Sequence, residues 1–118
     1  MRKLVFAVSI ATAISASPAS GQGYTGNSLF EDCIAEISIF TDMFCLGFVV
    51  GVISAYTGPY VSLLSAPTTL FCLPENVSHG QAKDIVKKYM TDHPDRRQFP
   101  GESLVFGAIV EAFPCPPK

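Results

Sequence analysis

The clearest hydrophobic pattern in the chain lies between Ser78 and Pro94. Apolar residues recur there at the three- and four-residue spacing of one helix face: Ala82, Ile85, Val86, Tyr89 and Met90. Ser78 followed three residues later by Gln81 is a capping box, and Pro94 cannot continue a helix. This segment therefore predicts a helix that begins after Ser78 and ends at His93.

Two further segments have the same periodicity. The first predicted helix begins with Asn27 or Ser28 as its N-cap and carries an apolar stripe at Leu29, Phe30, Cys33, Ile34 and Ile37. The last predicted helix runs from about Gly101 to Ala112, with inward positions at Leu104, Val105, Ala108, Ile109, Ala112 and Phe113. Prolines 114, 116 and 117 follow it and stop the pattern.

The segment from about Asp42 to Tyr56 is apolar on nearly every side. A transmembrane helix needs about 20 apolar residues, and Gly58-Pro59 stops this one earlier, so it predicts a central buried helix and no membrane span. Gly47 and Gly51 form a small-xxx-small pair, which marks helix dimerisation in lipid but close helix approach in a soluble core. We favour the second interpretation. No strand-like alternation of useful length is present, so the fold class predicted is all-α, with four helices.

The N-terminus has the order of a secretory signal peptide. Arg2 and Lys3 precede an apolar run, Leu4 to Ile14, that is too short to span a bilayer, and Ser17-Pro18-Ala19 is a suitable cleavage site. We therefore expect a signal peptide over residues 1–19, a flexible lead-in over 20–27 and one helical domain over 28–118. The predicted localisation is the periplasm.

Four cysteines lie in the predicted mature part: Cys33, Cys45, Cys72 and Cys115. Their even number in an exported chain, with no C-x-x-C pair, indicates two structural disulfides. If the last two helices form an antiparallel hairpin, Cys72 lies beside Cys115. Cys33 and Cys45 lie about equally far from the turn near Phe40 and can face each other across the first hairpin, so the preferred pairing is Cys33–Cys45 with Cys72–Cys115. Cys33–Cys115 with Cys45–Cys72 remains the alternative pairing.

Charge and motif content narrow the function classes. The chain has 8 basic and 10 acidic side chains, and removing Arg2 and Lys3 leaves a net charge of −4, which gives no electrostatic case for nucleic acid or anionic lipid. His79 and His93 lie about 21 Å apart along a straight helix, too far to share a metal ion. The chain has no hydrolase or phosphate-loop motif, so we expect no enzyme activity, no metal and no cofactor.

Five short motifs occur in a fixed order along the chain: Cys45-Leu46-Gly47-Phe48-Val49-Val50-Gly51, Phe71-Cys72-Leu73-Pro74, Val77-Ser78-His79-Gly80-Gln81, Tyr89-Met90-Thr91-Asp92-His93-Pro94 and Ala112-Phe113-Pro114-Cys115. Together with the cysteines they resemble the Tai/Rap family of type VI secretion immunity proteins. Phe48 stands where that family usually has tyrosine. The resemblance covers nearly all of the predicted mature chain.

The resemblance implies a periplasmic helical protein that binds and blocks a peptidoglycan amidase effector. The alternative is a small periplasmic housekeeping or stress module, chaperone-like, with no effector partner. A second copy of the chain, in a homodimer, is a further candidate partner.

Two connecting segments are the candidate contact surfaces for a partner. The connection from Gly58 to Phe71 is long for a compact domain and carries Tyr60, Leu63 and Leu64. The connector from Pro94 to Phe99 carries Arg96 and Arg97, whose guanidinium groups can pair with carboxylates. The polar face of the third helix, at Lys83, Lys87 and Lys88, is the next candidate.

Overall fold

A computed structural model of the protein describes residues 23–35, 38–58 and 70–117. These residues form four α-helices: α1 (Gly26–Ile34), α2 (Ile39–Thr57), α3 (His79–Asp92) and α4 (Gly101–Ala112). A 3₁₀ turn, Pro94–Arg96, follows α3, and no strand occurs in the described part of the chain beyond one isolated bridge between Thr25 and Pro100. The prediction of an all-α fold is confirmed. The predicted signal peptide lies outside the described residues.

Local capping explains where the helices begin. The Ser78 hydroxyl accepts a hydrogen bond from the Gln81 N–H at 3.1 Å, so α3 begins where the capping box predicts. The prediction that α2 begins near Asp42 is wrong, because the helix begins at Ile39. Ser38 is its N-cap, and the Ser38 hydroxyl accepts a hydrogen bond from the Phe40 N–H at 3.1 Å. The first helix also begins earlier than expected, with Thr25 as its N-cap.

The core lies where all four helices meet. Thirteen described apolar residues are buried there: Leu29, Cys33, Cys45, Val49, Phe71, Ala82, Val86, Tyr89, Met90, Leu104, Val105, Ala108 and Ile109. Most of them come from the apolar faces of α3 and α4 that the three- and four-residue spacing identifies. Both helices therefore contribute their periodic faces to one shared core.

The prediction that the second helix is buried at the centre is wrong. Only Cys45 and Val49 of α2 are buried, while Phe40 is 81 % exposed and Met43 58 % exposed. The helix is apolar on nearly every side, but α1, α3 and α4 cover only the face that carries Cys45 and Val49. α2 is long and apolar enough to cross a membrane by length and composition alone. This is weak evidence for a membrane span, because α2 packs against the three other helices.

Both disulfides have the preferred pairing. Cys33–Cys45 joins α1 to α2, and Cys72–Cys115 joins the segment before α3 to the tail after α4. The Cys72 N–H also donates to the Phe113 carbonyl at 2.9 Å, so the two ends of the α3–α4 hairpin meet as expected. The alternative pairing of Cys33 with Cys115 and of Cys45 with Cys72 is excluded.

Ion pairs on α3 differ from the expected pattern. Lys83 lies 2.5 Å from the Asp42 carboxylate of α2 and is largely buried, although the sequence placed it on the outer face. Lys88 pairs with Asp92 of the same helix at 2.6 Å. Lys83 therefore joins α3 to α2.

Candidate interaction site

The turn between α3 and α4, residues 93–100, is fixed to the start of the described chain. The Gly26 N–H donates to the Phe99 carbonyl, and the Asn27 N–H donates to the Arg97 carbonyl, both at 2.8 Å. On the other side of the turn, the Gly101 N–H donates to the Tyr24 carbonyl at 2.8 Å. Three main-chain hydrogen bonds thus hold the connector in one conformation.

Arg97 reinforces this attachment from within the turn. Its Nε donates to the Met90 carbonyl at 2.7 Å, and its guanidinium carbon lies 3.4 Å from the centroid of the Phe30 ring. The main chain approaches so closely here that a Cβ atom on Gly26 would lie 2.8 Å from the Arg97 carbonyl oxygen. Arg97 therefore acts inside the domain, where it links α1, α3 and the turn.

Arg96, which directly precedes Arg97 in the chain, lies on the surface of the domain. Its side chain is exposed, and one terminal nitrogen donates to the Tyr89 hydroxyl at 2.7 Å. The guanidinium carbon lies 5.9 Å from the centroid of the Tyr89 ring. Within the described ranges no carboxylate forms an ion pair with Arg96. The structure thus separates the two arginines that the sequence grouped together.

A surface notch lies beside Arg96, which we call the Arg96 notch. It has a volume of about 280 Å³ and is lined by Tyr89, Arg96, Phe99, Ser103, Leu104 and Gly107. Phe99 is 52 % exposed at its rim, whereas Tyr89 is only 7 % exposed. The notch therefore presents one free cation and one exposed aromatic ring on a fixed turn.

Gly107 shapes the notch from α4. A Cβ atom at this position would lie 2.9 Å from the Tyr89 hydroxyl oxygen, closer than two such atoms approach without a shift. Glycine within a helix is less stable than alanine by about 1 kcal/mol, so its presence here is best explained by the space that the tyrosine needs. Sequence reasoning missed Gly107, Tyr89 and Phe99 as site residues. The interrupted helical pattern at Gly107 was the available signal.

The sequence also named residues of the long connection and lysines of α3 as candidate partner contacts. Tyr60, Leu63 and Leu64 lie outside the described residues. Of the α3 lysines, Lys83 and Lys88 are already paired with carboxylates of this chain.

Titratable groups elsewhere are paired or dispersed. The Tyr24 hydroxyl donates to the Asp32 carboxylate, and burial together with this bond raises the pKa of Tyr24 well above its usual value. His93 lies 3.9 Å from Glu111 and packs against the Tyr89 ring. Among the residues that the structure describes, no group of three or more potential metal ligands occurs.

The fold and site define a class of protein: a small helical domain, cross-linked by two disulfides, that presents a rigid surface turn. The family model of Rap1a immunity proteins matches residues 25–115. The chain therefore belongs to the family of Rap1a immunity proteins, in agreement with the resemblance of its five motifs. No curated protein and no solved structure matches the chain.

Family membership gives the general function. An immunity protein acts against a secreted effector by binding it, which makes a cognate effector the expected partner. Proteins of this family are typically extracytoplasmic, and two disulfides fit an oxidising compartment.

Proposed function

We propose that the protein is a periplasmic immunity protein that binds and inhibits a peptidoglycan amidase effector delivered by type VI secretion. The observation that carries the proposal is the family match over residues 25–115. Export by the N-terminal signal sequence places the protein where peptidoglycan is attacked and where its disulfides form. Inhibition is stoichiometric and non-catalytic, since the inhibitor acts by occupying the effector.

The turn over residues 93–100 is the proposed contact surface. Its main-chain hydrogen bonds and Arg97 fix the conformation before binding, which lowers the entropy lost on association. Arg96 and Phe99 project from it, and arginine and aromatic side chains commonly dominate the binding energy of interfaces. Arg97 thus contributes by holding the turn.

Tyr60, Leu63 and Leu64 are proposed as further effector contacts on sequence grounds alone. Amphipathic and apolar side chains on a long connection suit insertion into a cleft. This proposal is independent of the turn.

A homodimer is the proposed assembly, formed through the outer face of α2. Phe40, Met43 and Phe44 are exposed there, and open space surrounds the positions where Gly47 and Gly51 would carry a Cβ atom. An apolar face with two small residues allows a symmetry-related helix to approach closely and cover it.

Binding to candidate effectors tests the proposed function. The exported, oxidised protein is immobilised and exposed to purified peptidoglycan hydrolases, including the product of any amidase gene beside its own. We expect one amidase to be retained and to co-elute in a fixed ratio. Retention of no amidase, with the immobilised protein still folded by circular dichroism, contradicts the proposal.

A further inference from the structure

We propose that the Arg96 notch binds a single carboxylate group, supplied by an aspartate or glutamate side chain of the effector. The identity of the ligand follows from the groups that line the notch, and its source in an effector rests on the proposed function above. The site is a specific recognition pocket within the broader contact surface.

The polar groups of the notch can all donate hydrogen bonds. The Arg96 guanidinium has five N–H groups in a planar fork, and one terminal nitrogen is directed to the Tyr89 hydroxyl. That hydroxyl accepts from Arg96, so its own proton is available to a ligand. The Ser103 hydroxyl makes no hydrogen bond to another described residue. A ligand with two acceptor oxygens satisfies this arrangement, and a carboxylate fits a guanidinium fork in a bidentate manner.

The charges around the notch also favour a carboxylate as the ligand. No acidic side chain lines the notch, and Arg96 has no ion-pair partner in the described ranges. The remaining arginine of the described chain, Arg97, is directed inward to Met90 and Phe30. Arg96 is therefore the one arginine in the described part of the chain that is free to pair with an anion.

The guanidinium is held in position before any ligand arrives. Tyr89 is nearly buried, and its hydroxyl oxygen lies above Gly107, where a Cβ atom would approach to 2.9 Å. The hydrogen bond to Tyr89 then fixes one end of Arg96, and the attached turn fixes its main chain. A charged group oriented in this way loses little rotamer freedom on binding.

Apolar surroundings favour a protein carboxylate over a small, highly charged anion. Phe99 is half exposed at the rim, and Leu104 forms part of the wall. These groups can contact the methylene carbons of an aspartate or glutamate side chain. The formal net charge of −2 for the whole chain also disfavours multiply charged anions such as phosphate.

Arginine side-chain NMR gives a direct test. The protein is produced from the full-length gene, exported, labelled uniformly with ¹⁵N, and titrated with the capped glutamate Ac-Glu-NH₂, whose side chain holds its only carboxylate. The capped glutamine Ac-Gln-NH₂ is the neutral control. Arg96 and Arg97 are the only arginines beyond Arg2, so Arg97 serves as an internal reference. We expect the Arg96 Nε–H signal to shift saturably with Ac-Glu-NH₂, and the Arg97 signal to stay in place.

Variants separate this proposal from charge attraction alone. We expect Arg96→Gln to abolish the saturable shifts of the Tyr89, Ser103 and Gly107 amide signals, and Arg96→Lys to weaken binding, because lysine cannot bind a carboxylate through a planar fork. Gly107→Ala, which displaces the Tyr89 hydroxyl, should also weaken it at least threefold. Equal shifts with Ac-Gln-NH₂, equal shifts at Arg97, or no shift at Arg96 would overturn the proposal.

The NMR titration and an amidase inhibition assay test the notch proposal and the proposed function separately. If an amidase is inhibited but Ac-Glu-NH₂ leaves the Arg96 signal unchanged, the immunity function stands and the notch proposal fails. If Arg96 binds the carboxylate but no amidase is inhibited, the notch proposal stands and the proposed function fails.

Discussion

Arg97 donates from its Nε atom to the main-chain oxygen of Met90 at 2.7 Å, across the junction between α3 and the turn that follows it. Met90 is fully buried, so this bond fixes an exposed connector to the core of the domain. The neighbouring Arg96 is left free on the surface. The two adjacent arginines thus have separate environments: Arg97 holds the turn, and Arg96 is the side chain proposed for recognition.

Stability measurements should distinguish the two arginines. Arg97→Ala removes the partner of the Met90 carbonyl and the stacking on Phe30, and we expect it to lower the free energy of unfolding by about 2–3 kcal/mol. Arg96→Ala, the matched control, removes an exposed side chain and should lower it by less than about 1 kcal/mol. Urea denaturation followed by far-UV circular dichroism measures both. Equal losses would show that Arg97 does not hold the turn.

The two disulfides should differ in their rate of reduction. Cys33 and Cys45 are 3 % and 0 % exposed, whereas Cys72 is exposed at the surface, so a thiolate reductant reaches the Cys72–Cys115 bond first. In the chain-entropy model, the Cys72–Cys115 bond, with its 43-residue separation, stabilises the folded state by about 4 kcal/mol. The Cys33–Cys45 bond closes a shorter loop and stabilises it by about 3 kcal/mol. Brief dithiothreitol treatment, alkylation and peptide mass mapping give the order. Earlier labelling of Cys33 and Cys45 is the result that this account excludes.

Alkaline pH should destabilise the domain through Tyr24. Burial and the bond to Asp32 raise the pKa of Tyr24 in the folded state above its value of about 10 in the unfolded chain. The stabilisation is therefore fully present below pH 10 and is lost as the pH rises toward the folded-state pKa. Thermal melts between pH 8 and pH 11 measure the loss. Tyr24→Phe should flatten this dependence, and Tyr56→Phe should not; an unchanged slope in Tyr24→Phe argues against the assignment.

The exposed face of α2 should control assembly. Phe40→Glu places a charge on a side chain that is 81 % exposed, so it should leave the fold intact and dissociate the proposed homodimer. Sedimentation velocity on the parent and the variant measures this, with the exposed α3 variant Asp84→Lys as a control that remains dimeric. A parent protein that sediments as a monomer at every concentration rules out the homodimer.

Local sequence signals predicted the parts of the fold that depend on local interactions. The capping box at Ser78 and the apolar stripes of the last two helices placed α3 and α4 correctly, because both signals act within one helix. The disulfide pairing followed from the hairpin that these helices form.

Features that depend on packing between helices could not be predicted in the same way. The apolar composition of α2 does not reveal that its partners cover only the side carrying Cys45 and Val49. Likewise, nothing in the pair Arg96-Arg97 indicates that one side chain reaches the Met90 carbonyl while the other remains exposed. The sequence named this connector as a candidate contact surface, but the surroundings of its individual residues depend on three-dimensional contacts.

Titration of an amidase effector with the oxidised protein tests the central claim most directly. The measurement is the release of peptide from purified peptidoglycan by the amidase that the immobilised protein retains, at increasing ratios of the protein to the enzyme. We predict a linear fall to zero activity at one protein chain per enzyme, and a loss of inhibition of at least tenfold in the folded Arg96→Ala variant, which corresponds to about 1.4 kcal/mol. Full activity at a large excess of the folded parent protein would contradict the proposed function.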